Sequence, residues 1–255
     1  MHDTFMLNVS KGSPMTARNQ ASIPQPPERF VVAVDVVALT LVEDQLHTLL
    51  VRRLQAPFKG AWVLPGGVVE GKESLLEAAE RVLQDKAGLS GVYLEQLYTY
   101  SDPSRDPRDR AISVAHIALV NQACFQSLKP HDRETTVARI EVPWEGETGG
   151  PVRVWGLSDD ELPLAFDHAE MLGQAVKRIR GKLDYTPVGY QLLPEAFTLS
   201  QLQRVHEAIL GRTLNKDSFR RRMLASGELE PTGESQSEVD HRPAALYRFT
   251  ARSAV

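Results

Sequence analysis

The chain has 255 residues, 42% of them apolar and 24% charged, with 17 Gly, 16 Pro and a single Cys. That composition excludes collagen, a coiled coil and a wholly disordered chain, and the length suits one large domain or two smaller ones, with two expected. A net charge of −4 argues against a protein coated in basic surface for nucleic acid. One cysteine, Cys124, excludes an internal disulfide or a thiolate metal cluster and is expected to be core filler in a reducing compartment.

Residues 1–28 are polar, end in IPQPPE and lack periodicity, which predicts a mobile arm. They also lack the basic start and apolar stretch of a secretory signal. The longest apolar run, FVVAVDVVALTLV, is broken by Asp35 and falls short of the ~20 residues that span a bilayer, so a cytoplasmic protein is expected. That run and HTLLVRRL flank Glu43-Asp44-Gln45 and predict a hairpin. A short strand, WVLP, leads into Gly66-Gly67 and a helix over about 74–87 that stops at Gly88. GVYLEQLYTYS, ISVAHIALV and VRVWGL follow as strands, joined by the charged loop DPSRDPRDR and the polar stretch EVPWEGETGG. In FDHAEMLGQAVKRIRGKLD, the spacing of Met171, Leu172, Ala175, Val176, Ile179 and Leu183 predicts an amphipathic helix packed on the sheet. The texture then changes, which places a domain boundary near Tyr185 and divides the chain into 29–185 and 186–255.

The segment GGVVEGKESLLEAAERVLQDKAGLSG resembles the Nudix box, matching its spacing at Gly67, Glu73, Arg81, Leu83, Gly88 and Leu89. The chemistry of that family needs a divalent cation to polarise a pyrophosphate, held by carboxylates at the positions of residues 82, 85 and 86. Those offsets share one helical face. Here they are Val82, Asp85 and Lys86, so two of three ligands are missing and an ammonium has been added. The expectation is no catalytic residue, no metal and no resident cofactor, with hydrolysis lost or vestigial.

What persists is the part that binds. The Gly66-Gly67 turn can bring backbone close to a phosphate. Arg52 and Arg53 point to opposite faces, and Arg53 is the choice for the cleft. Arg108 or Arg110 offers forked hydrogen bonds to a diphosphate, against the reading of a self-neutralised loop. Phe58 and Trp62 could stack on an adenine, although core packing is the commoner fate of such aromatics. Glu73 belongs to the same candidate set, but Glu73, Glu77 and Arg81 also suit structural pairing. His116 and His168 lack a second ligand at metal spacing and are taken as structural.

The 186–255 stretch carries nine Lys and Arg against eight Asp and Glu, but Arg212, Lys216, Arg220, Arg221 and Arg222 cluster within eleven residues. Thr198 and Gln201 predict a capping box for a helix whose stripe is Leu202, Val205 and Ile209, ending at Gly211. Asn215 can cap a second helix burying Phe219, Met223 and Leu224 and turning Asp217, Ser218, Arg221 and Arg222 outward, with Arg220 at the margin. ELEP and ALYRF, flanking a loop with His241 and Arg242, have the layout of a wing. This predicts a helix-turn-helix that reads DNA through Asn215, Lys216, Ser218, Arg220, Arg221, Arg222 and Arg242. A dimerisation appendage with a solvated Arg run is the bland alternative.

From about residue 30 onward the chain resembles the Nudix-related transcriptional regulators of the NrtR family, most specifically in the defective box, the DPRDR loop, LAFDHAEML and LNKDSFRRRML. The resemblance implies an α/β (α+β) fold, a Nudix-type α/β/α sandwich with a mixed sheet followed by a winged helix-turn-helix. It also implies a homodimeric repressor of NAD-metabolism genes that senses ADP-ribose or a related NAD-derived nucleotide and releases double-stranded operator DNA when ligand binds. Two rivals stand beside it: an active ADP-ribose pyrophosphatase using Glu73, Glu77 and Asp85, and an inert Nudix protein-interaction adaptor.

Overall fold

The computed structural model describes residues 29–126, 134–183, 186–236 and 243–250; the expected arm at 1–28, the boundary at Tyr185 and the loop with His241 and Arg242 lie outside them. Strand β1 (Val31–Val42) turns at Glu43 and Asp44, both with positive φ, into β2 (Gln45–Arg52). Positive φ at both central residues matches the right-handed twist of an antiparallel hairpin. Short strands β3 (Trp62–Val63) and β4 (Gly66–Val68) pair with β2 and β1 respectively. Helix α1 (Leu75–Ala87) follows, capped by a reciprocal Ser74–Glu77 box and closed by Gly88 in the left-handed conformation.

Strands β5 (Tyr93–Tyr100) and β6 (Ala111–Leu119) form an antiparallel pair, and β6 lies parallel to β1. Helix α2 (Gln122–Gln126) and strands β7 (Thr135–Glu141) and β8 (Arg153–Trp155) complete a mixed sheet in the order β5-β6-β1-β2-β7-β8. The sequence predicts neither α2 nor β7; TTVARIE is short, with little apolar contrast between its faces. Cys124 is exposed, its amide donating to Asn121 Oδ1, which corrects its assignment as core filler; the adjoining Phe125 is the buried residue.

Side chains alternate along β1, so Val34, Val36 and Ala38 pack toward α1 while Val37 and Leu39 pack toward helix α3 (His168–Lys182). The sheet is thus sandwiched between helices. Beyond a 3-10 turn (Pro187–Leu192) come β9 (Phe197–Thr198), α4 (Leu199–Leu210), α5 (Lys216–Ala225), β10 (Leu229–Ser235) and β11 (Ala245–Phe249). The strand order β10-β11-β9 makes the wing's small sheet. The expected capping box of α4 is present, as is its stripe of Leu202, Val205 and Ile209. On α5, Phe219 and Met223 are buried, but Leu224 is 45% exposed, contrary to expectation, because one turn of a ten-residue helix covers only a narrow face.

One apolar cluster runs without a break from Met171, Leu172 and Ile179 on α3 through Leu192 and Phe197 to Leu202, Ile209, Phe219 and Met223. Among the described residues, no helix is long and apolar enough to cross a membrane.

Candidate functional site

The register of β4 on β1 builds a cleft. Asp35 lies directly opposite Gly66, and Val34 opposite Gly67, so the two glycines face opposite sides of the sheet. A Cβ at Gly66 would collide with the Asp35 carboxylate, and one at Gly67 would lie 3.0 Å from Val82 on α1. Each glycine therefore makes room for a different neighbour: a buried anion on one face, and the helix on the other.

Asp35 is 8% exposed, and its Oδ2 accepts a hydrogen bond from Ser113. Its carboxylate lies 3.7 Å from both the Arg105 guanidinium and His168 Nε2. His168 Nδ1 accepts the Leu64 amide at 2.9 Å, which leaves the ring proton on Nε2, toward Asp35. Burial holds the His168 pKa below its ordinary value, against the weaker pull of Asp35 and Asp167. Arg105 makes a forked pair of hydrogen bonds, 2.9 and 2.8 Å, to Asp167 at the start of α3.

These groups floor a cleft of about 230 Å³, also lined by Arg53, Gly66, Gly67, Arg108 and Phe166. The Arg53 and Arg108 guanidiniums lie 4.9 and 5.9 Å from the centre of the Phe166 ring. Arg53 also donates to the Pro57 carbonyl, and burial together with Arg108's charge lowers its pKa. Arg108 is forked onto Asp106, which raises its own pKa and lowers that of the carboxylate. Phe58 and Phe166 meet edge to face at 4.9 Å, and both have left-handed backbones, with φ of 62° and 56°. For an aromatic residue that conformation costs on the order of 1 kcal/mol and persists only when neighbours enforce it.

Of the ligand candidates, Arg53, Gly66, Gly67 and Arg108 converge on this cleft. Phe58 reaches it only through Phe166. Trp62 packs against the apolar core instead, because its strand pairs inward with β2. Arg110 turns away to the Ser101 carbonyl and the Phe30 ring. Glu73 receives two hydrogen bonds from Arg81, which push its pKa down to about 2, so this pair staples the loop before α1 to the helix. Asp35, Arg105 and Phe166 were not singled out from sequence, and His168, taken as structural, also lines the cleft.

On α1, Val82 is buried beneath Gly67, Asp85 lies 3.8 Å from Arg81, and Lys86 is exposed. This trio is not the oxygen cluster that a hard divalent ion requires. No group of three or more His, Cys, Asp or Glu is placed to hold a metal among the described residues.

The second surface is α5. Asn215 spends its side chain capping the helix by accepting the Ser218 amide at 3.0 Å. Lys216, Ser218, Arg220, Arg221 and Arg222 are all exposed, including the marginal Arg220, and Arg222 also covers the Phe219 ring at 5.7 Å. Phe219 and Met223 anchor the opposite face to α4, so the cationic face is held outward.

Fold and surfaces together define a Nudix domain joined to a winged helix-turn-helix DNA-binding domain. Residues 29–145 match the NUDIX domain and residues 189–249 the NrtR DNA-binding winged helix domain. The chain is 35% identical over 249 residues to the ADPR responsive transcriptional repressor of Acinetobacter baylyi, covering 96% of this chain and 91% of that one. It also resembles the Shewanella oneidensis NrtR crystallised with a 27mer DNA, with 35% identity, a TM-score of 0.72, and 86% of this chain and 93% of that one covered. A shorter match, 41% identical over 86 residues, joins it to the ADP-ribose pyrophosphatase of Methanocaldococcus jannaschii, covering 34% of this chain and 48% of that one. The chain belongs to the NrtR family.

Proposed function

We propose that this protein is an ADP-ribose-responsive transcriptional repressor of NAD-metabolism genes, active as a homodimer on double-stranded operator DNA. The observation that carries the reading is one chain holding both a cleft with two guanidiniums over a glycine turn and an outward cationic recognition helix. The repressor of Acinetobacter baylyi, similar along nearly the whole chain, supports it.

The Nudix domain senses rather than hydrolyses, because Val82 and Lys86 stand where a hydrolase needs carboxylates. The diphosphate of the ligand pairs with Arg53 and Arg108, whose planar forks suit such anions. In a dimer the recognition helices must match half-sites about 34–36 Å apart, so a small change in the protomers' setting spoils the fit. If ligand favours the setting that does not fit, DNA must weaken ligand affinity by the same factor, about 5–150-fold.

The test is a genomic-fragment DNA-binding selection on the full chain, repeated with ADP-ribose. Enrichment of a defined operator that ADP-ribose releases supports the proposal. Enrichment of no DNA points to an adaptor, and tighter DNA binding with ligand makes ADP-ribose a co-repressor.

A further inference from the structure

The helix face that would carry the metal ligands of a Nudix hydrolase presents a cation instead. Val82 fills the space beneath Gly67, and Lys86, one turn further along the same face, opens onto a groove of about 440 Å³ with Arg52, Arg53, Gly66, Asp85 and Glu134. This groove shares Arg53, Val63, Leu64 and Gly66 with the 230 Å³ cleft, so the two adjoin across Arg53 and the glycine turn. The cleft alone falls below the roughly 300–1,000 Å³ of ordinary ligand pockets, whereas the adjoining groove of about 440 Å³ falls within that range. Arg53 stands where the two meet.

Asp85 is drawn toward Arg81, and Lys86 forms no hydrogen bond or ion pair among the described residues. A diphosphate linking two sugars carries one negative charge on each phosphate. A bound divalent ion would balance both, but it needs carboxylate ligands and is repelled by an ammonium. Arg53 and Lys86 together supply the same counter-charge with no metal at all. Lysine serves as a point charge for phosphate, and arginine adds geometric fit.

We infer that Lys86 takes over the role of the lost cation, making with Arg53 and the Gly66-Gly67 turn a metal-independent diphosphate site. Replacing ligand carboxylates by an ammonium thus converts a site that turns over a diphosphate into one that holds it. This rests on the proposed sensing of ADP-ribose.

The test is calorimetric titration of the full-length protein with ADP-ribose, once in EDTA and once with excess Mg²⁺. The native chain should bind equally in both. Lys86→Met should bind about tenfold more weakly in both, the loss expected for one charge-assisted contact in an open groove. Lys86→Glu should bind more weakly still in EDTA and recover part of that loss with Mg²⁺. Operator binding without ligand, unchanged in both variants, shows that they fold. Variants matching the native chain within twofold in EDTA would overturn the inference alone, as would native binding that requires Mg²⁺. A native chain that binds no ADP-ribose overturns the sensing proposal, and this inference with it.

Discussion

The Nε of Arg180 donates to the carbonyl of Ile209 at 2.7 Å, tying the last turn of α3 to the last turn of α4. The same guanidinium donates to the Trp144 and Gly146 carbonyls and lies 4.8 Å from the centre of the Trp144 ring. Burial lowers its pKa, and its hydrogen bonds go to carbonyls in both domains. Arg180→Ala would leave those carbonyls facing a void. It should cost about 3 kcal/mol, and each kcal/mol lowers Tm by about 2–4 °C in a chain of this size. Scanning calorimetry checks this; a fall under about 2 °C would show that the apolar core alone holds the joint.

Arg221→Ala and Arg222→Ala should each weaken operator binding. Where the lost group touched a phosphate, the plot of log affinity against log salt should flatten by up to about 0.9 per contact. Affinity and slope both unchanged in the two variants would favour the dimerisation appendage.

Arg53→Ala and Arg108→Ala should abolish or strongly reduce release of operator by ADP-ribose while leaving DNA binding intact. Arg110→Ala should release normally, since Arg110 points to Ser101 and Phe30. A response lost in Arg110→Ala but kept in the other two would place the ligand elsewhere.

With millimolar Mg²⁺, AMP release from ADP-ribose should not exceed that of Asp85→Asn, which removes the last carboxylate of the trio. Metal-dependent turnover that Asp85→Asn abolishes would restore the pyrophosphatase reading.

His168 stays neutral in the fold because burial lowers its pKa, whereas in the unfolded chain it takes up a proton below about pH 6.5. Its contribution is therefore complete above that pH and is lost as pH falls below it, by up to about 1.4 kcal/mol per pH unit. His47 and His116 are shifted the same way, chiefly by burial. His168→Asn, whose side-chain oxygen can accept the Leu64 amide, should flatten the decline below about pH 6.5 by one proton's worth. Denaturant titrations across that range check the slope; an unchanged slope would mean that His168 does not titrate differently on unfolding.

The parts legible in sequence were those that local spacing determines. The Thr198–Gln201 box, the Gly88 stop and the stripes of α3 and α4 each reside within one turn or one helix. The cleft floor was not legible in this way. Asp35, Arg105 and His168 are far apart in the chain and meet only through the pairing of β1 with β4 and β6 and the docking of α3. One signal is present in the sequence: a carboxylate inside a run as apolar as that around Asp35 must be held by partners once the run is buried. Trp62 misled because an aromatic beside a glycine turn suits a base-stacking role and a core role equally well.

The unbroken apolar cluster from α3 into α5 affects how the protein is made. A ribosome that has released residues up to Leu183 has produced a helix whose partners, Leu202, Val205 and Ile209, are still to come. Chains ordinarily fold domain by domain from the N-terminus, so α3 can dock on Val37, Leu39 and Ile117 of its own sheet first and receive the DNA-reading half's apolar residues afterwards. A chain cut between the two would expose part of α3 to water, which should lower the stability of the sensing half without removing the interior its own sheet and helices enclose.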